Sequence, residues 1–247
     1  MSTVLITQEM FNNMNFDAKT EKNATTATSN NESADKKPSV LIVFANSDIN
    51  AALYHLNKSL ESPFNPTAIA TVLVQEAIKD DFVSKLQQQL KTYPAEAVKN
   101  NVNFVKALAT ATKLNAKTIG VPKQEPNEYS PTLVCDFTHE QLGASTPSGI
   151  VTLHTYRTAK EAVALVNKES LKFNSVSIWH ENHSYAYELI AALTSSAFFI
   201  NCYQVSLAVL GDSKNHVVLD KSYHYETLLH DGVQKSIVFP VGSIFAN

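Results

Sequence analysis

Arginine is almost missing from this chain: of 20 basic residues, all but Arg157 are lysine. A surface that reads phosphates or nucleic acid leans on the planar arginine fork. With a formal net charge of −3 as well, no nucleic-acid partner is expected. Glycine is scarce, 6 residues in all, and no glycine-rich strand-to-helix turn is present to bring backbone against a pyrophosphate. Two cysteines, Cys135 and Cys202, are too few for a disulfide framework or a thiolate metal cluster. They read as small buried hydrophobes in a reducing compartment. No apolar run approaches the roughly 18 residues of a spanning helix, so no membrane partner is expected. The opening MSTVLITQEMF lacks the basic start and long apolar core of a secretory leader. Glu9, Asp17 and a first basic residue only at Lys19 are unlike a mitochondrial presequence. A cytoplasmic location is the expectation.

What is there has the texture of a soluble globular protein, with 44% hydrophobic and 17% charged residues. Residues 1–36 are the exception: NATTATSNNESADKK has no apolar periodicity and reads as a disordered polar tail. From Ser39 strands and helices alternate. SVLIVF reads as a fully buried strand, and Ser47 or Asp48 as the cap of a helix carrying Ile49, Ala52, Leu53, Leu56 and Leu60. TVLVQE is a second strand, followed by a helix with Ile78, Phe82, Leu86 and Leu90. A further helix is expected from near Ala95 to Leu114 with Val98, Val102, Val105 and Leu108 as its apolar face. TLVCDF and IVTLHTY are strands, with GASTPSG a loop between them. Thr158 and Glu161 form a capping box for the next helix. Ser175–Tyr203 then reads as strand, helix, strand, the size of one βαβ unit. VVL at 217–219 and SIVF at 236–239 close the pattern. The fold class is α/β, with a mixed or mostly parallel sheet flanked by helices.

The order of these segments resembles the catalytic domain of the NAD(P)-dependent aldehyde dehydrogenase superfamily. KPSVLIVFANSDINAAL is similar to the family's strand and helix after its Gly-Gly-Lys-Ser-Pro run. TVLVQEAIKDDFVSKL is similar to the elements just after its nucleophile, and YSPTLVCDF to its PTV strand. IVTLHTYRTAKEAVALVN resembles the elements after its Glu-Ile-Phe-Gly-Pro motif. SVSIWHENHSYAYELIAAL…FFINCY resembles the strand, helix and strand that follow. The resemblance runs in order over residues 37 to about 203 and implies the family's catalytic-domain fold over 37–225. A C-terminal segment, 226–247, would contain an oligomerisation strand. The implied partner is a second copy or a full-length aldehyde dehydrogenase relative.

The resemblance implies a truncated, degenerate homologue lacking the N-terminal cofactor domain. The family's catalytic cysteine, counted back from Glu76, falls on Pro66, which has no nucleophile. The general base, a glutamate in the family, would lie near Ala34, with Glu32 two places off in the tail, and Lys36 and Lys37 stand where the family has glycines. The Glu-Ile-Phe-Gly-Pro motif maps onto Ser145, Thr146, Pro147, Ser148 and Gly149. These departures imply a catalytically inactive protein with no cofactor. The alternative is an NAD(P)-dependent oxidoreductase of aldehydes, binding NAD, with residual activity or as a subunit beside a full-length relative. Outside the resemblance, His180-Glu181-Asn182-His183 has the wrong spacing for a zinc helix and reads as a surface loop. His224, Glu226, His230 and Asp231 are the densest titratable cluster, with no metal spacing rule behind it.

Overall fold

A computed structural model describes residues 37–94, 101–122, 128–144, 148–211 and 216–242. The polar segment 1–36 lies outside them. In chain order the elements are β1 (Ser39–Val43), α1 (Ile49–Leu60), β2 (Ile69–Gln75), α2 (Lys79–Gln89), β3 (Tyr93–Pro94), α3 (Val102–Lys113), β4 (Thr118–Ile119), β5 (Glu128–Tyr129) and β6 (Leu133–Cys135). They continue with β7 (Val151–Tyr156), α4 (Ala159–Lys168), β8 (Ser175–Trp179), α5 (His183–Ala192), β9 (Ala197–Ile200), α6 (Ala208–Gly211), β10 (Val217–Leu219), β11 (Tyr223–His230) and β12 (Val233–Pro240).

A 10-stranded sheet in the order β10-β11-β12-β9-β8-β1-β2-β7-β6-β4 carries the fold. From β12 to β6 every neighbouring pair is parallel. The outer strands β11, β10 and β4 run antiparallel. β1 is buried along its whole length, as expected of a central parallel strand covered on both faces. α1 and α2 place Leu53, Leu56, Phe82 and Leu86 against Leu41, Val43, Val72 and Val74. α4 and α5 place Ala162, Val166, Leu189 and Ile190 against Val40, Ile42, Val176 and Phe198 on the other face. The caps follow the sequence: Asp48 accepts from Ala51 N at the start of α1 and Thr158 from Glu161 N at the start of α4. Among the described residues no helix is long and apolar enough to cross a membrane.

One expectation is corrected here. α3 begins at Val102, capped by Asn101, and buries Phe104, Ala107 and Ala111. Val102 and Val105, expected in its core face, are 76% and 56% exposed. Three bulky β-branched side chains at helical spacing suggested the wrong stripe; the aromatic Phe104 inserts between Phe64 and Tyr129 instead. Ala95 and Val98 lie outside the described residues. β11 is an addition to the elements expected from the sequence: YHYETLLH, where Tyr223 and Tyr225 alternate with polar neighbours, pairs with β12 along its full length. Asp231 and Gly232, both at positive φ, turn the hairpin.

Candidate functional site

The segment 61–68, where the resemblance puts the nucleophile, forms a tight polar turn at the start of β2. Pro66 is exposed in it. Asn65 Oδ1 accepts from the Thr67 amide and from Thr67 Oγ1, both at 3.0 Å, and Ala68 N donates to Asn65 O at 2.9 Å. Proline suits the second position of such a turn because its φ is already set. The next carbonyl, Thr67 O, accepts from Ser39 Oγ at 2.9 Å, Tyr203 Oη at 2.9 Å and Gln204 Nε2 at 3.0 Å. Ser39 Oγ also lies 2.7 Å from Ser175 Oγ. This one carbonyl therefore ties together the starts of β1 and β2 and the chain returning after β9. That return is made by Asn201 and Gln204, both at positive φ.

Beside the turn is a cavity of about 330 Å³. Its walls are His55, Lys58 and Ser59 from α1, Ser62 and Asn65 beyond it, and Tyr203 and Gln204 opposite. Burial, and then the Lys58 charge, holds His55 below the ordinary imidazole range, so it is neutral. Its ring lies 5.7 Å from Trp179, which is fully buried. A second hollow of about 470 Å³ adjoins the first through His55 and Tyr203; Ala51, Tyr54, Cys202 and Tyr223 also line it.

Gly149 meets the same turn. Gly149 has φ +83°, and a Cβ there would stand 2.4 Å from Phe64 Cε1. Gly149 thus closes on Phe64 and Ser148 before it is buried, whereas Ser145, Thr146 and Pro147 lie outside the described residues, as do Glu32 and Lys36. Glu76 is at the opposite end of β2, in a bidentate pair with Arg157 at 2.8 and 2.9 Å. Both side chains are exposed, so the pair adds little stability.

Neither cysteine is poised to react. Cys135 is buried in β6, and burial pushes its thiol up, with Asp136 adding to the effect. Cys202 lies just past β9, its Sγ donating to Val238 O at 3.6 Å, and burial pushes it up further. Of the His180–His183 segment, Glu181 and Asn182 are exposed and His183 is half-buried, as a surface loop requires, but His180 is not. His180 is buried, stacked on Tyr185 at 4.7 Å and edge-on to Phe44 at 4.9 Å. His183 turns instead to Phe239. The titratable cluster on β11 separates into two pairs, His224–Glu226 at 3.1 Å and His230–Asp231 at 3.5 Å at the hairpin turn. Among the described residues no group of three His, Cys, Asp or Glu is placed to hold a metal ion.

One buried network has no sequence signature. Glu169, just past α4, accepts from Thr152 Oγ1 at 2.8 Å and from the His139 amide at 2.9 Å, and lies 3.1 Å from His154 Nε2. His139 Nε2 is 2.9 Å from Ala70 O, which leaves Nδ1 buried without a partner. The members are spread over the chain from Ala70 to Glu169 and meet only because β2 and β7 are neighbours.

A dinucleotide would be expected at the carboxyl ends of the strands where helices depart to opposite faces, here between β1 and β8. The residues present do not fit one. The β1–α1 turn has no glycine, and the Asp48 carboxylate already occupies the α1 N-terminus. The two loops are bonded to each other, Glu181 N to Asn46 O at 2.7 Å, and Phe44, Tyr156 and His180 pack between them.

Solved structures share this fold. A NAD-dependent aldehyde dehydrogenase from Sinorhizobium meliloti matches 69% of this chain and 38% of its own, at 21% identity and a TM-score of 0.56. A NAD-dependent benzaldehyde dehydrogenase from Corynebacterium glutamicum matches 67% of this chain and 39% of its own, at 19% and 0.55. Lactaldehyde dehydrogenase from Escherichia coli matches 69% and 40%, at 20% and 0.54. The chain therefore spans about two fifths of these proteins, and at such identity the likeness is one of fold. No curated protein matches the sequence. The family model described as "Protein of unknown function (DUF1487)" matches residues 34–245, and the chain belongs to that family.

Proposed function

We propose that this chain is a non-catalytic, aldehyde dehydrogenase-like protein that acts through protein contacts, with a second copy or a full-length relative. The observation that carries the reading is the 61–68 turn. Where the resemblance asks for a reactive thiol there is Pro66, and the neighbouring Thr67 carbonyl is held by three donors. A thiohemiacetal needs a thiolate, and both cysteines of the chain are buried thiols pushed up by burial. No NAD site is proposed, because Asp48 would repel a pyrophosphate from the β1–α1 turn. Contacts are supported by β10, which pairs with β11 alone among the described residues and presents Val217 and Leu219 at 54% and 64% exposure. An open edge strand with apolar side chains is a template for another chain.

Purified protein mixed with NAD and a panel of aldehydes, followed at the NADH absorbance, tests the reading. No turnover is expected. Sustained turnover abolished by Cys202→Ala would overturn it in favour of an oxidoreductase.

A further inference from the structure

The cavity beside Asn65 is rich in donors and has no carboxylate in its lining. Lys58 brings a positive charge to it and, among the described residues, makes no ion pair. Asn65 Oδ1 is engaged twice by Thr67, so what that side chain has left to offer is its Nδ2 donor. The Ser62 hydroxyl is a further neutral donor in the lining, and neutral His55 contributes one N–H. The adjoining hollow has a different character: Ala51, Tyr54, Cys202 and Tyr223 give it apolar walls. The carboxylate in its lining, Asp48, is engaged by the Ala51 amide. A single cation beside neutral donors, next to an apolar recess that shares His55 and Tyr203 with it, suits a singly charged head with a short hydrocarbon body. A phosphate would call for an arginine fork or several cations, and this site has neither. At about 330 Å³ the donor-lined part lies near the lower end of the roughly 300–1,000 Å³ range of small-molecule sites.

We propose that the two hollows together bind a small aliphatic carboxylate. The carboxylate lies against Lys58, with Ser62 and Asn65 as neutral donors, and the hydrocarbon enters the recess bounded by Tyr54 and Tyr223. This deepens the non-catalytic reading, since a site without a thiol can hold an acid unchanged, and its test is independent of turnover. Trp179 is the single tryptophan of the chain and lies 5.7 Å from His55, so its fluorescence reports the site.

Hexanoate titrated into the full chain is expected to change Trp179 fluorescence saturably and to give matching heat by calorimetry. Hexanamide and inorganic phosphate should each bind at least tenfold more weakly. Lys58→Gln should weaken hexanoate at least tenfold with an unchanged melting temperature, because Lys58 is exposed, and Lys58→Arg should retain binding. The proposal is overturned by an absence of saturable hexanoate binding, by equal binding of hexanamide or phosphate, or by undiminished binding to Lys58→Gln. None of these outcomes bears on the aldehyde assay, which fails or stands separately.

Discussion

Lys235 sends its ammonium under α5, donating to the carbonyls of Ile190, Ala191 and Leu193, with the Phe198 ring 5.7 Å away. A helix leaves its last carbonyls unpaired, and a cation there satisfies them and meets the negative end of the dipole. Burial pushes the amine below its ordinary value, and the three carbonyls hold the charged form in place. Lys235→Met keeps the stem and removes the donor. It should cost about 2 kcal/mol, the worth of hydrogen bonds to a charged group, read as a lower urea midpoint. The buried histidines make a second prediction. Burial holds His55, His139, His180 and His183 below the ordinary imidazole value. Below about pH 6.5 the unfolded chain therefore takes up more protons than the folded one. Their contribution is complete above that pH and falls as pH drops through it. Glu169 acts in the same direction at lower pH. Burial pushes its carboxyl up, but His154, His139 and Thr152 outweigh that and leave it depressed. Its contribution is present above about pH 4.3 and is lost below it. The urea midpoint should thus be nearly level from pH 7.5 to about 6.5 and fall from there to 4.5, and His139→Gln should lessen that fall. A midpoint independent of pH would remove this account.

α3 shows how an element can be found while its buried face is misassigned. The helix was legible from its 3.6-residue period, but three valines outweighed one phenylalanine in locating the core. The stripe that is buried, Phe104, Ala107 and Ala111, is mostly small, and small residues carry little signal in a hydrophobicity pattern. Val105→Ser is accordingly expected to change stability by less than about 0.5 kcal/mol. Phe104→Ala should cost about 3–5 kcal/mol, the usual range for deleting a buried aromatic; equal effects on thermal unfolding would restore the valine face. The contact of Phe64 with Gly149 is a second test at this scale. Gly149→Ala introduces a Cβ into the ring at a φ that L-residues avoid, costing about 1–3 kcal/mol. Phe64→Leu in the same chain should recover part of that loss by relieving the clash, leaving the backbone strain.

Across the whole molecule the sheet ends in two different ways. Among the described residues β4 closes one side with two residues, and β10 leaves the other open beside Val217 and Leu219. If that edge joins a second chain, the mass measured by light scattering behind size-exclusion chromatography will exceed the 27.2 kDa of one chain. Leu219→Lys, a charge placed on an edge strand, should return it to the monomer; a wild-type chain that is monomeric throughout would end the proposed self-contact. Most of the alternation of strands and helices, their caps and the parallel βαβ unit at 175–203 could be read along the chain. Those features rest on neighbours within a few residues, where side-chain period and capping chemistry act. The ALDH-like order of segments was legible for the same reason. The Thr67 carbonyl clamp, the Glu169–His139 network and the donor-lined cavity beside Lys58 were not. Each joins residues tens of positions apart, brought together by strand order and by the turn-back at Asn201–Gln204, and no spacing rule along a chain records which strands become neighbours in a sheet.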